Sequence, residues 1–165
     1  MRRHIFFLLA ALILAADQIS KWQVRRTFAP NATHPILPDY FDFTFVQNPG
    51  GAFGIFPHGT QVLAFACAAA VAAIIVFVSR SSGKLAPLLG AALALPMGGA
   101  IGNLIDRVRF GWVTDFIHVH AGIHEFPVFN IADSAICVGV GLLVIYSWTS
   151  PPKPAPVPLP EAEKN

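Results

Sequence analysis

Two aspartates of the chain, Asp115 and Asp133, could do chemistry together. Each lies close to the end of an apolar segment, and the residues between them are few enough to fold back on themselves. Two carboxyl groups brought close cannot both ionise easily, so one holds a proton while the other remains a base. Such a pair can activate a water molecule and protonate a leaving amine. This chemistry hydrolyses a peptide bond without a metal or a covalent intermediate.

Each aspartate also has a purely structural interpretation. Asp133 follows Asn130 by three residues, so it could be a first-turn carboxylate beneath an asparagine N-cap, where the helix dipole favours negative charge. Asp115 could instead pair with an arginine of the same loop, Arg107 or Arg109. Either acid taken singly can be explained without catalysis, but the two together favour a catalytic pair.

Between the two aspartates lies a competing group of side chains, His118, His120, His124 and Glu125. On a strand, His118 and His120 point to the same side, as a pair of zinc ligands would. Pro127 follows too soon after His124 and Glu125 for an HExxH helix. The pattern therefore favours solvated histidines, and we expect neither a metal site nor a cofactor.

The composition indicates a membrane protein. Of 165 residues, 55% are hydrophobic and only 12% are charged, against roughly 25% charged residues in soluble domains. A bilayer core requires about 20 helical residues, and four apolar segments are long enough, at about residues 4–23, 61–79, 85–105 and 131–149. The net charge of +2, with scattered Lys and Arg, does not indicate a nucleic-acid surface.

Three features of the apolar segments need interpretation. The basic N-terminus and the apolar run after it also fit a secretory signal peptide cleaved before Asp17, but residues 18–24 continue the helical pattern and favour a retained span. In the third segment, Pro96 and a cluster of glycines predict a kinked or closely packed helix. Cys67 and Cys137 each lie in an apolar run and predict buried thiols rather than a disulfide or a zinc cage.

Four crossings place both termini on one side of the membrane and the two long connections, residues 24–60 and 106–130, on the other. Polar residues near the ends of the spans then face the long connections, which predicts a single polar site at one membrane surface. Lys and Arg are almost equally divided between the two sides, but the first helix begins with two arginines, so we place the termini in the cytoplasm. The chain thus divides into a membrane domain, residues 1–150, and a proline-rich tail, residues 151–165, which we expect to be disordered.

The first long connection contains a strand pattern. From Tyr40 to Val46, Phe41, Phe43 and Phe45 alternate with other residues, which predicts a strand with one aromatic face. The strand could belong to a small sheet packed on its own core, or it could form an apolar platform at the bilayer surface for a lipidic ligand. The glycine-rich segment that follows it predicts a turn that another backbone can approach closely.

Five sequence blocks carry a resemblance to a known family. In chain order they are Asp17-Gln18-Ile19-Ser20-Lys21, Asn48-Pro49-Gly50-Gly51-Ala52-Phe53-Gly54, Gly98-Gly99-Ala100-Ile101-Gly102-Asn103-Leu104-Ile105-Asp106-Arg107, Gly111-Trp112-Val113-Thr114-Asp115-Phe116 and Phe129-Asn130-Ile131-Ala132-Asp133-Ser134. With these blocks in this order, the chain resembles the lipoprotein signal peptidases, also called signal peptidase II, which are bacterial membrane aspartyl proteases. The similarity extends from about His4 to Trp148.

The resemblance implies a fold and a site. The fold class it implies is an all-α polytopic membrane protein, with four transmembrane helices, a small extracytoplasmic β-cradle and a short periplasmic helix. Its catalytic pair falls on Asp115 and Asp133, the same two aspartates that the physical argument selects. The resemblance also implies residues that shape the site and bind substrate, namely Asp17, Asn48, Gly51, Phe53, Asn103, Arg107 and Asn130.

The resemblance implies an activity as well, which is cleavage of diacylglyceryl-modified prolipoproteins on the amino side of the lipobox cysteine. Expected partners are these substrates, membrane lipids and globomycin-type inhibitors, without nucleic acid, and we expect a monomer. The expected location is the bacterial inner membrane, with both termini cytoplasmic and the site near the periplasmic face. Two alternatives from other classes are a transporter or proton relay that uses Asp17 and Asp133, and a histidine-dependent membrane metalloprotease.

Overall fold

Four long helices form most of the molecule. The computed structural model describes residues 1–51, 59–81 and 84–150. The helices are α1 (Arg3–Thr27), α2 (Thr60–Arg80), α3 (Pro87–Phe110) and α4 (Ile131–Thr149). All four are long and apolar enough to cross a membrane, and each overlaps one of the predicted spans. The expected tail, residues 151–165, lies outside the described residues.

Small residues make α3 the central helix. It packs against each of the other three helices. Half of the residues in its most apolar stretch are buried, against 6% in the corresponding stretch of α2. A Cβ on Gly98 would collide with the carbonyl oxygen of Ala10 in α1. Similarly, a Cβ on Gly99 would collide with that of Ala132 in α4. Of the two arrangements predicted for this segment, close packing is present, and the helix is continuous through Pro96.

Local sequence explains where the two later helices end and begin. α3 ends at Gly111, whose φ of 80° favours glycine. α4 begins after Asn130, whose side chain accepts a hydrogen bond from the backbone N–H of Asp133. The Asp133 side chain accepts one from the backbone N–H of Asn130 in return, which completes a capping box. The interpretation of Asp133 as a first-turn carboxylate beneath an asparagine cap is therefore confirmed.

The strands that come after α1 and after α3 in the chain form one antiparallel sheet. Its strands, adjacent in chain order, are β1 (Thr33–Leu37), β2 (Phe41–Asn48), β3 (Val113–Ala121) and β4 (His124–Glu125). In the ladder between β2 and β3, Asp42 lies opposite His118, and Val46 lies opposite Asp115. The all-α label is not confirmed, because the chain combines four helices with this sheet. The described parts of the two long connections contain no short helix.

The aromatic residues of β2 pack the sheet against α1. Phe45 is 3% exposed and contacts a cluster formed with Val24 of α1 and Phe116 of β3. Phe43 packs against the same cluster. A register shift between Phe43 and Val46 interrupts the simple alternation that the sequence suggests. The sheet therefore shares its apolar core with the end of a membrane helix and does not rest on a core of its own.

The two cysteines differ from the prediction. Cys67 is half-buried and Cys137 is exposed, and both are free thiols. The prediction of two buried thiols is wrong, because neither position is fully packed against other parts of the chain. In α2, Val78 is the buried residue. The other hydrophobic side chains of this helix are therefore placed mainly to contact lipid.

The packing of α3 generates a stability prediction. Gly99→Ala should lower the free energy of unfolding by about 1–3 kcal/mol, because the added methyl meets a backbone carbonyl of α4 that cannot move without displacing the helix. Thermal denaturation in detergent micelles measures the change. Gly141→Ala in α4 is the matched control, because its Cβ enters open space, and it should leave stability unchanged or slightly raised. Equal melting temperatures for the two variants would contradict the packing argument.

Candidate active site

Asp115 and Asp133 approach one cavity from different elements. Asp115 lies on β3, and Asp133 lies in the first turn of α4. The backbone of Phe129 exchanges hydrogen bonds of 2.8 and 3.0 Å with Ile117, so the segment before α4 runs beside β3. Both aspartates line a cavity of about 370 Å³. The structure thus brings together the two acids that the sequence analysis selects.

Asparagine amides hold both carboxylates. Asn130 Nδ2 donates to Asp115 Oδ1 at 2.6 Å, and Asn48 Nδ2 donates to Asp115 Oδ2 at 2.9 Å. Asn103 Nδ2 donates to Asp133 Oδ1 at 2.7 Å. Asn103 and Asn130 also contact each other, since the Asn130 amide donates to Asn103 Oδ1 at 3.3 Å. Neutral donors therefore orient both acids without neutralising either one.

Burial controls the protonation of Asp115, whose exposed fraction is only 2%. Desolvation first, and the charge of Asp133 second, raise the pKa of Asp115 from 3.8 to about 7. The amide hydrogen bonds from Asn48 and Asn130 lower the pKa, but by less than these two effects raise it. Close to neutral pH, the pair can therefore contain one acid and one base.

The arginines proposed as partners of Asp115 lie elsewhere. Arg107 donates to the backbone oxygens of Gly50 at 3.2 Å and of Asn103 at 3.5 Å, and Arg109 lies over the ring of Phe110. The interpretation of Asp115 as a loop ion pair is therefore wrong. Among the described residues, Arg107 Nε is a buried side-chain nitrogen without a hydrogen-bond partner. The Arg107 side chain also lines the cavity.

The cavity combines polar and apolar walls. Of the predicted site residues other than the two aspartates, four line it, namely Asn48, Gly51, Asn103 and Arg107. The apolar wall comes from residues that the sequence analysis did not select, including Val113, Phe126, Val128, Phe129 and Ile136. Asn130 and Asp17 are fully buried outside the cavity lining, and Phe53 lies outside the described residues. Such a cavity suits a substrate that has both a peptide backbone and apolar groups.

Beside the cavity lies a buried charge network that the sequence analysis missed. Lys21 is 0% exposed, and its Nζ lies 2.9 Å from Asp17 Oδ2 and 3.5 Å from Asp106 Oδ2. The same ammonium group donates to Asn103 Oδ1 at 2.8 Å. The spacing of Asp17 and Lys21 at i and i+4 on a helix was the available signal. Nothing in the sequence indicated that α3 would supply the other partners.

This network holds the elements that carry the two cavity aspartates. Asp17 Oδ1 accepts the backbone N–H of Ala132 at 2.9 Å, in the first turn of α4. Asp106 Oδ2 accepts the backbone N–H of Thr114 at 2.9 Å, at the start of β3. Ala132 and Thr114 each immediately precede one of the two cavity aspartates in the chain. Lys21, through its two carboxylate partners, therefore fixes the backbone next to both acids.

The structure favours neither alternative function. His118 and His120 contact Asp42 rather than the cavity, so they do not place a metal beside Asp115 and Asp133. Both oxygens of Asp17 are engaged, one by Lys21 and the other by the backbone of α4. A proton relay through Asp17 would have to break this network.

A family model and known proteins match the chain. The model for signal peptidase (SPase) II matches residues 9–149. The chain belongs to the signal peptidase II family. A lipoprotein signal peptidase of Moorella thermoacetica is 47% identical over 143 residues, which cover 87% of this chain and 90% of that protein. A lipoprotein signal peptidase of Syntrophotalea carbinolica is 43% identical over 148 residues, covering 88% of this chain and 91% of that protein.

Solved structures agree with the family assignment. Two structures described as bacterial membrane enzymes superpose on this chain with TM-scores of 0.80 and 0.79, each at 28% identity. They cover 90% of this chain, and the aligned regions are 92% and 96% of their own chains. The signal peptidase II family consists of proteases that process prolipoproteins. The four apolar helices make this member a multi-pass membrane protein.

The buried network generates a second stability prediction. Lys21→Met should lower the free energy of unfolding by about 3–5 kcal/mol, because it leaves the carboxylate of Asp17 buried without a counter-charge. Among the described residues, Asp106 would keep only Arg25 as an ion-pair partner, whose Nη1 lies 3.5 Å from its Oδ1. The matched control is Lys84→Met, which removes an exposed lysine and should change stability by less than about 0.5 kcal/mol. Chemical denaturation in mixed micelles measures both variants. A Lys21 variant as stable as the Lys84 variant would show that the network does not support the fold.

Proposed function

We propose that the protein is an aspartyl endopeptidase that removes the signal peptide from diacylglyceryl-modified prolipoproteins. In this proposal it cleaves on the amino side of the lipidated cysteine. The observation that carries the proposal is the pair of aspartates, buried Asp115 and partly buried Asp133, at one cavity with polar and apolar walls. Membership of the signal peptidase II family supports the substrate class.

The surroundings of the two acids favour different roles. Asp133 lies at the N-terminus of α4 and accepts the backbone N–H of Asn130 at 3.3 Å, and a helix N-terminus stabilises negative charge. Asp115 lies on a strand and accepts only side-chain amides in its hydrogen bonds with the described residues. Desolvation and the charge of Asp133 raise its pKa to about 7, which lets it hold a proton near neutral pH. We therefore assign Asp133 as the general base and Asp115 as the general acid at the start of the reaction.

The proposed reaction transfers two protons. Asp133 takes a proton from a water between the acids, and the water oxygen forms a bond to the scissile carbonyl carbon. The tetrahedral intermediate collapses with cleavage of the C–N bond. Asp115 gives its proton to the departing cysteine nitrogen. The products are a carboxyl group on the signal peptide and a free amino group on the lipidated cysteine.

The remaining cavity residues position the substrate in this proposal. Arg107 lines the cavity, and its Nε–H has no hydrogen-bond partner among the described residues, so its guanidinium suits a carbonyl of the substrate peptide. Asn48, which donates to Asp115, and Gly51 line the cavity and would lie along the peptide. Phe53 keeps the substrate-binding role that the family resemblance implies. The amide side chains of Asn103 and Asn130 hold the acids, and Asp17 fixes the start of α4.

The membrane setting completes the proposal. The apolar wall of the cavity would receive the acyl chains of the substrate, and a globomycin-type cyclic peptide would compete for the same space. We propose a monomer in the bacterial inner membrane, with both termini cytoplasmic and the cavity near the periplasmic face. The transmembrane domain would comprise residues 1–150, followed by a cytoplasmic tail, residues 151–165. Continuous packing of α1 through Asp17 supports a retained first helix.

Substitution of either acid tests the mechanism. Asp115→Asn and Asp133→Asn should each lower turnover of a diacylglyceryl-modified prolipoprotein by at least about 1000-fold, because each removes one proton-transfer group. A gel-shift assay in detergent measures loss of the signal peptide, and thermal denaturation checks that the variants are folded. Asp39→Asn is the matched control, because Asp39 is exposed and has a φ of 67° that asparagine also adopts.

The assay includes a chelator and a substrate without the diacylglyceryl group. Wild type and the Asp39 variant should cleave the lipidated substrate equally well, with or without chelator, and should leave the unlipidated one intact. Substantial cleavage by either active-site variant would refute the aspartate pair. Loss of wild-type activity in chelator would instead favour a metalloprotease.

The raised pKa of Asp115 predicts the pH dependence. As the pH rises through about 7, Asp115 loses the proton that the leaving amine requires, so kcat/KM should fall on the alkaline side. The Asn48 amide stabilises the charged form of Asp115, so Asn48→Ala should raise the pKa and move this limb to higher pH. Rate measurements with lipidated substrate from acid to alkaline pH test both statements. An alkaline limb that moves to lower pH in the variant would contradict the role given to Asp115.

A further inference from the structure

A second group of polar side chains lies on the sheet, outside the cavity. Asp42 on β2 and His118 and His120 on β3 each offer one ligand atom, and these three atoms lie within 4.8 Å of one another. His120 Nε2 is 2.9 Å from Asp42 Oδ2, and His118 Nδ1 is 3.7 Å from the same oxygen. The proposed peptidase reaction uses none of these residues.

The backbone places these three side chains together. Asp42 and His118 are direct partners in the β2–β3 ladder, and opposite residues of an antiparallel pair project to the same face. His120 is two residues beyond His118 and therefore projects to that face as well. The cluster is thus built by strand register and does not depend on a mobile loop. The side chains are only 12–17% exposed, which limits competition from solvent.

The distances fit a small divalent cation. Tetrahedral zinc, with bonds of about 2.0–2.1 Å to nitrogen and oxygen, separates its ligand atoms by roughly 3.4 Å. The two distances from Asp42 Oδ2 lie on either side of this value. Two imidazole nitrogens and one carboxylate oxygen form a ligand set that zinc accepts readily. The same set is a poor match for Ca²⁺ or Mg²⁺, which prefer oxygen ligands throughout.

A fourth ligand is available from the neighbouring strand. Glu125 on β4 lies directly opposite His120 in the ladder, so its side chain projects to the face that carries the cluster. Water can occupy the fourth position equally well. Either ligand would complete a four-coordinate shell, but Glu125 only after its side chain turns toward the three ligand atoms, because its carboxylate is not one of their group.

We propose that Asp42, His118 and His120 form a zinc site that cross-links β2 and β3. The site is structural, because it lies outside the cavity and the aspartate pair requires no metal. The ion would clamp the ladder whose other end carries Asn48 and Asp115. This assignment replaces the expectation of solvated histidines, which could not take account of Asp42 because that residue is distant in the sequence.

Metal binding to the purified full chain tests the proposal. The protein is prepared without a polyhistidine tag, dialysed against chelator, and titrated with Zn²⁺ alone in detergent. We expect one zinc per chain, and we expect His118→Gln, His120→Gln and Asp42→Asn each to weaken binding by at least about tenfold. His34→Gln is the matched control, because His34 lies on β1 of the same sheet outside the cluster, and it should bind as wild type does.

Two further readouts test the site independently of the titration. Co²⁺ bound to the wild-type chain should show the intense visible absorption of a tetrahedral site and lose it when Zn²⁺ is added. Saturating Zn²⁺ should raise the melting temperature of wild type and of the His34 variant, because it binds only the folded chain, but not that of the cluster variants. The proposal is overturned if wild type binds no stoichiometric zinc, if bound cobalt is octahedral, or if the cluster variants retain wild-type affinity.

Discussion

A buried ammonium group imposes the constraint on which the rest of the structure depends. Lys21 is fully enclosed between helices of the bundle, and removing a charge from water costs several kcal/mol unless it is paired and hydrogen-bonded. The chain meets this requirement with carboxylates from α1 and α3 and with the amide oxygen of Asn103. Both carboxylates also accept a backbone N–H from another element. One cation therefore sets the relative positions of α1, α3, the start of α4 and the start of β3.

Close helix packing and the charge network require each other. Gly102 has no room for a Cβ because the Asp17 carboxylate packs directly against it. The ion pair thus depends on the same small residues of α3 that allow α1 and α4 to approach. Each of the two elements held by the network carries one catalytic acid of the proposed mechanism. Precise placement of the acids can then come from a rigid buried framework, as preorganised catalysis requires.

The helices, the strand that begins at Phe41 and the pair of aspartates could be predicted from the sequence because each depends on nearby residues. Apolar length indicates the helices, alternation of aromatic residues indicates the strand, and the positions of the two acids near the ends of apolar segments indicate the pair. The roles of Lys21 and Asp42 could not be predicted in this way. Asp42 obtains its two histidine partners, and Lys21 its partners other than Asp17, from elements that are distant along the chain. No periodicity encodes a contact of that kind. The exposure of Cys137 was missed for a related reason. An apolar run is the same sequence signal whether a side chain faces protein, lipid or a cavity, and Cys137 lines the cavity.

The choice of amides rather than arginines around Asp115 follows from what the proposed reaction needs. A guanidinium group in contact with this carboxylate would stabilise its charged form and hold the pKa far below neutral. Asn48 and Asn130 orient the same oxygens, yet they leave desolvation and the charge of Asp133 as the dominant effects. Lys21 does not contact either cavity aspartate directly. It donates to the side-chain oxygen of Asn103, and the amide nitrogen of Asn103 donates to Asp133. The charge of Lys21 can thus hold the framework together while Asp115 keeps a proton available at neutral pH.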